Sequence, residues 1–238
     1  MRLFVLWCAL FAAAAPAASA AESPASPARA PAPGKISGRV TIAGLAPKLP
    51  LLPVTRDTKI CGTNKPDEAL VIGTGGGIKN AVIWLADVPA GKDAAPPKIR
   101  LDQHACRFEP HVAVVPVGAT LEVVNSDTVL HHPKAQVGEK TAFSFPMPLK
   151  GHTVGKRLDK VETLRVTCES HPWMRAFVQV LDAGIYAVTD EQGAFTLPNV
   201  PAGKHKLKLW HERLGEREET VEVTSGETAT RDLTLAPR

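Results

Sequence analysis

From Lys35 onward the apolar positions recur with period two, the signature of half-buried strands. Ile36-Ser37-Gly38-Arg39-Val40-Thr41-Ile42 alternates in this way. Ala81 to Leu85 is a continuous apolar run of the kind a core strand carries. Further strands are predicted at Thr120 to Val124, Thr163 to Thr167 and Ala176 to Leu181. After Asp182 the strands shorten and are divided by tight turns at Asp190-Glu191-Gln192-Gly193, Pro201-Ala202-Gly203 and Thr224-Ser225-Gly226. Between those turns lie Ala194 to Leu197, Lys204 to Trp210 and Ala229 to Leu235, again alternating. Residues 136–160 hold no sustained period and read as a long loop with room for one strand. No segment has the spacing of an amphipathic helix. The glycine run at 73–77 precedes a β-branched strand rather than a helix, so it predicts a hairpin turn and not a phosphate cradle. The class is all-β, and two stacked sheets are the natural way to cover the apolar faces.

The first residues have a different character. Arg2, the apolar stretch Leu3 to Ala15 and the Ala18-Ser19-Ala20 cleavage signal predict an export signal over residues 1–20, too short for a spanning helix. Trp7 stands before Cys8 where lipidation wants a small residue. Residues 21–34 are rich in Ala, Pro and Ser and read as a disordered tether. The expected setting is periplasmic or secreted, with no transmembrane segment in the mature protein. The 238 residues allow one large or two small domains, and the formal charge of +4 is scattered, so no nucleic-acid footprint stands out. Export permits disulfides, and loss of Cys8 with the signal leaves an odd three cysteines.

One of the three lies in a dense cluster of donors. Cys168-Glu169-Ser170-His171-Pro172-Trp173-Met174 is C-x2-H-x2-M, flanked on both sides by strand patterns. A thiolate, an imidazole and a thioether on one tight loop can converge on a single ion, and a second imidazole would complete the donor set of an electron-transfer copper site. Thiolate and imidazole also suit zinc; the thioether argues for copper. The second imidazole is found at the end of Asn125-Ser126-Asp127-Thr128-Val129-Leu130-His131, directly after a strand. With N-x5-H and then C-x2-H-x2-M, residues 99–182 resemble a cupredoxin, with a short ligand loop of the amicyanin type rather than the longer plastocyanin form. The resemblance implies a Greek-key β-sandwich holding one type 1 copper ion, Cu(I) or Cu(II). It implies His131, Cys168 and His171 as equatorial ligands and Met174 as the axial one. It implies that Asn125, at the head of the N-x5-H segment, supports the ligands from behind. The family usually has Asn directly after the first ligand histidine; here His132 stands there, followed by Pro133, so His132 is an alternative ligand.

The remaining cysteines, Cys61 and Cys106, are expected to form a disulfide, which leaves Cys168 as the free thiolate. His104, Cys106 and His111 match no closed metal site, and His152, His205 and His211 are expected on the surface. Residues 184–236 resemble the carboxypeptidase regulatory-like module, a small transthyretin-like second β-sandwich, and are similar also to the β domain of rhamnogalacturonan lyases. Residues 35–98 either extend the copper domain or supply first strands to that second sandwich. The functional expectation is a one-electron carrier or electron-transfer subunit, not an enzyme, working with a transient redox protein partner. Its electron port is expected at His171, Pro172 and Trp173. The alternatives are a copper-holding or delivery protein without a redox role and a carbohydrate- or protein-binding β-sandwich.

Overall fold

The structure is a computed structural model that describes residues 31–45, 47–91 and 97–237. The export signal and residues 21–30 of the tether lie outside the described residues. The described chain is nearly all strand, apart from a one-turn helix at Thr58–Cys61 and a 3-10 turn at Thr74–Gly76. It forms two sandwiches.

The first sandwich is built from the middle of the chain. One sheet carries Lys140–Ser144, Pro133–Val137, Glu162–Cys168, Arg175–Leu181 and Val112–Pro116 in that order. The other carries Thr153–Arg157, Thr120–Asn125, Lys98–His104 and Arg107–Glu109. Each sheet mixes antiparallel neighbours with one parallel pair, Arg175–Leu181 beside Val112–Pro116 and Lys98–His104 beside Thr120–Asn125. A parallel pair requires the chain to cross over rather than turn back, so this is not a simple meander. Leu101, Phe108, Val115, Leu121, Val123, Leu164, Val166 and Val178 fill the space between the sheets.

Strand parity carries this core to one end of the sandwich. In Glu162–Cys168 the inward positions are Leu164, Val166 and Cys168, with Arg165 facing out. In Thr120–Asn125 they are Leu121, Val123 and then Asn125. Each strand therefore ends on a polar or thiol group buried where an apolar residue would otherwise sit.

The second sandwich is made by both ends of the described chain. Gly34–Ile42 pairs antiparallel with Ala194–Val200 and parallel with Thr228–Thr230 and Leu233–Leu235. The last two are separated at Arg231 and Asp232, where the Asp232 carboxylate accepts the Arg39 amide. Facing them are Tyr186–Val188, Val82–Leu85, Gly203–His211 and Gly215–Val223. The first sandwich thus leaves the second after Leu85 and returns to it before Tyr186. Val82, Val112, Val114, Leu181, Ala183 and Trp210 form a buried cluster where the two meet.

Residues 52–67 take neither role. Leu52–Pro53 pairs with Asn64–Lys65, the one-turn helix lies between, and Val54 and Cys61 enter the core of the first sandwich. This strap is fixed by a Cys61–Cys106 disulfide, by Lys65 donating to the Ala105 carbonyl and by an Arg175–Asp67 ion pair.

Two expectations need correction, and a third holds. Residues 136–160 are not a loop: Lys140–Ser144 and Thr153–Arg157 are strands, and Pro133–Val137 reaches into the segment. Both of the first two lie at sheet edges; Lys140–Ser144 buries only Phe143 and Thr153–Arg157 buries no residue, so their backbone pairs without imposing an apolar period. His205 and His211 are not on the surface; both are buried. His205 is sealed by polar partners, with one ring nitrogen 2.9 Å from Asp87 and the other 2.8 Å from the Pro201 carbonyl. The Gly73–Gly77 turn is a hairpin-like loop as expected, closed by the Gly73 amide on the Gly77 carbonyl.

Candidate metal centre

The loops that follow Asn125 and Cys168 meet at the same end of the first sandwich. Asn125 braces its own loop: its side-chain amide donates to the Val129 and Met147 carbonyls, and its oxygen accepts the Asp127 amide. His131 is then clasped in a two-way backbone bridge with Met147. The Cys168–Met174 segment is wound tightly, the His171 amide bonding to the Cys168 carbonyl and the Met174 amide to the His171 carbonyl. These local bonds leave His131, Cys168, His171 and Met174 all buried, with both imidazoles at 0 % exposure.

The donors converge. Cys168 Sγ lies 3.7 Å from His131 Nδ1 and 3.7 Å from His171 Nδ1, and the two nitrogens are 2.9 Å apart. A triangle with these sides has its centre about 2.0 Å from each corner, which is a bonding distance for imidazole and slightly short for thiolate. Met174 sits on the same loop within the same core cluster. Cys168 is the one free cysteine among the described residues.

The far side of each ring is held by a carboxylate. His131 Nε2 is 3.0 Å from Asp127 Oδ2, and His171 Nε2 is 2.9 Å from Asp57 Oδ2. Asp127 also accepts the Ala105 and Cys106 amides at 2.8 Å. When a neutral ring donates its Nε2–H outward, its Nδ1 lone pair is free to face a shared ion, as a ligand must.

The electrostatics follow from this packing. Burial opposes charge on the Cys168 thiol, but hydrogen bonds from His131, His171 and the His132 amide outweigh it and lower the thiol to about 6. Burial likewise opposes charge on His131, and the bond to Asp127 together with the nearby Cys168 overcomes it, raising the ring to about 9. Asp127 is lowered although burial works the other way, because His131 and two backbone amides stabilise the carboxylate.

Each expected site residue can now be placed. His131, Cys168 and His171 are brought together. His132 turns its ring to the surface, where Nε2 meets Ser144 Oγ at 2.9 Å and Glu169 at 3.3 Å; only its backbone amide, 3.3 Å away, addresses the Cys168 sulfur. Cys61 and Cys106 are bonded to each other, with the Cys61 sulfur 4.0 Å from His171 Nε2. His104 is exposed and His111 is buried in contact with Glu212, away from this cluster.

The electron port is a correction. His171 does not reach solvent, because the Asp57 strap lies over its outer nitrogen. Pro172 is exposed, and Trp173 is half-buried, with its ring 5.0 Å from His171 and its Nε1 donating to the Cys106 carbonyl. Asp57 and Asp127 were not foreseen as site residues. Asp127 had a detectable signal, four positions before His131 on the same loop; Asp57 had none.

A family model for Polysaccharide lyase family 4, domain II, matches residues 183–231. No curated protein matches the chain. Among solved structures, similarity extends to amicyanin from Paracoccus versutus at 18% identity and TM-score 0.32, covering 42% of this chain and 97% of that one. A purple cupredoxin from Nitrosopumilus maritimus gives 23% identity and TM-score 0.31, covering 36% of this chain and 99% of that one. A Cu-containing nitrite reductase from Thermus scotoductus SA-01 gives 22% identity and TM-score 0.32 over 39% of this chain. The chain spans only a quarter of that reductase's length. No helix among the described residues is long and apolar enough to cross a membrane.

Proposed function

We propose that this protein is an exported one-electron carrier, or an electron-transfer subunit, built around a type 1 copper centre. His131, Cys168 and His171 would hold the ion, with Met174 as the weak axial donor. The observation that carries the reading is the triangle of one thiol sulfur and two Nδ1 atoms in a buried pocket, each imidazole fixed from behind by a carboxylate. Two imidazoles and a thiolate suit both copper oxidation states, and a thioether is a soft donor that zinc does not need. Bound copper would supply a one-electron couple. The chain's own part is to hold the donors in one geometry, so that little rearranges when an electron moves. The His132 amide donates to the sulfur, which disperses the thiolate's charge. The periplasm or the extracellular space is the setting the export signal favours, and the partner is a transient redox protein, for which a small contact suffices.

The test is the visible spectrum of copper-loaded protein. An intense thiolate-to-copper charge-transfer band that Cys168→Ala abolishes supports the reading; a fully loaded but colourless sample overturns it. A second reading, copper holding without electron exchange, draws on the burial of both imidazoles. A reversible voltammetric wave excludes it.

A further inference from the structure

The strap over His171 makes sacrifices that its own folding does not explain. Asp57 stands at the N-cap of the helix Thr58–Cys61, where an aspartate side chain ordinarily accepts an amide of the first turn. No such bond is made: the carboxylate points instead to His171 Nε2 at 2.9 Å. Its backbone is left-handed, with φ 51 and ψ 33, a conformation that aspartate and asparagine adopt more readily than other residues with a side chain. A forfeited cap at the residue whose carboxylate touches a candidate ligand points to the contact itself as the reason.

The neighbours reinforce it. Arg56 donates to the Ser170 carbonyl, so two successive strap residues grip two successive residues of the ligand loop. Four positions after Asp57, Cys61 is bonded to Cys106, whose amide donates to Asp127, the carboxylate behind His131. The disulfide therefore ties the strap that carries Asp57 to the turn whose amides hold Asp127.

We propose that Asp57 is a positioning residue of the metal centre, holding the His171 ring so that Nδ1 alone faces the ion, on a disulfide-latched strap that seals the site from solvent. The assignment rests on His131, Cys168 and His171 being the ligands. The His171 Nε2–H donates to Asp57 Oδ2, which fixes both tautomer and ring angle. The seal is the strap's second effect: with Asp57 removed, water and small reagents gain a path past His171 to the sulfur of Cys168.

Two measurements on the full-length chain test this, with Asp57→Ala and Asp57→Asn compared. Asparagine keeps an acceptor oxygen and tolerates a left-handed backbone, so it serves as the conservative rescue. In copper-loaded protein, Asp57→Ala is expected to lose Cu(II) to EDTA about 10- to 100-fold faster than wild type. Asp57→Asn should recover most of that difference. In metal-free protein, alkylation of Cys168 by iodoacetamide, mapped by mass spectrometry, should quicken at least about tenfold in Asp57→Ala and in Cys61→Ala/Cys106→Ala. Wild-type rates in Asp57→Ala for both measurements overturn the proposal, as does an Asp57→Asn chain no better than Asp57→Ala in copper retention. Should wild type bind no copper, the proposed function fails separately; unchanged alkylation would then overturn the seal as well, and accelerated alkylation would support it.

Discussion

His211 offers a test of the fold that is independent of any metal. It ends the strand Gly203–His211 at 2 % exposure, with Nδ1 accepting the Arg213 amide. Burial is the main force on it; Glu212 pulls the other way and His111 adds to the effect, so the ring falls to about 4 from the ordinary 6.5. A base with a depressed folded pKa binds its proton first in the unfolded chain. Its contribution to stability is therefore complete above about pH 6.5, is lost as pH falls toward 4, and does not decline further below that. The shift corresponds to about 3 kcal/mol, a large part of the roughly 5–15 kcal/mol that holds a typical domain together. Urea denaturation of metal-free protein across pH 7.5 to 4 measures it, with His211→Gln as the comparison. Other groups titrate in this range, so the informative quantity is the difference between the two chains. Wild type should lose about 3 kcal/mol more than the variant over the window. Equal losses would refute the reasoning and mean that the ring protonates in place.

Other consequences are equally direct. Asp127→Ala strips the acceptor from the Ala105 and Cys106 amides, in a turn where both residues have left-handed backbones, and should lower stability by about 3–5 kcal/mol; a melting curve of metal-free protein showing under about 1 kcal/mol would contradict this. Removing the disulfide as Cys61→Ala/Cys106→Ala reopens a loop of 45 positions and should cost about 2–4 kcal/mol, seen as a lower thermal midpoint; an unchanged midpoint would mean the strap is held by packing alone. Gly38→Ala would put its new methyl 1.7 Å from the Arg231 carbonyl oxygen and should destabilise by at least about 2 kcal/mol. Gly91→Ala, with nothing within 4 Å, should change little, and equal effects at the two sites would argue against the close strand contact.

What the chain disclosed in advance depended on how far apart the interacting residues lie. Cys168, His171 and Met174 are rare donors within seven positions, and Leu164 and Val166 before them set the parity that turns Cys168 inward. The paired strands around them were legible for the same reason, since period two is a local property. Edge strands such as Thr153–Arg157 and Gly215–Val223 escaped because they bury one face poorly or not at all, and polar residues then occupy positions that would otherwise carry the signal. The buried histidines escaped differently. His205 meets Asp87 from 118 positions away, and nothing in the local pattern of either announces the pair. The same holds for Asp57 and His171, 114 positions apart. The expectation of an exposed His171 followed soundly from the composition of its loop, and failed because a loop's own residues state which groups can face outward, not whether another segment lies on top. A strap that covers a metal centre is a long-range fact. Its only local traces are an uncapped aspartate in a left-handed turn and a cysteine four residues later, features that acquire meaning once the partner across the disulfide is known.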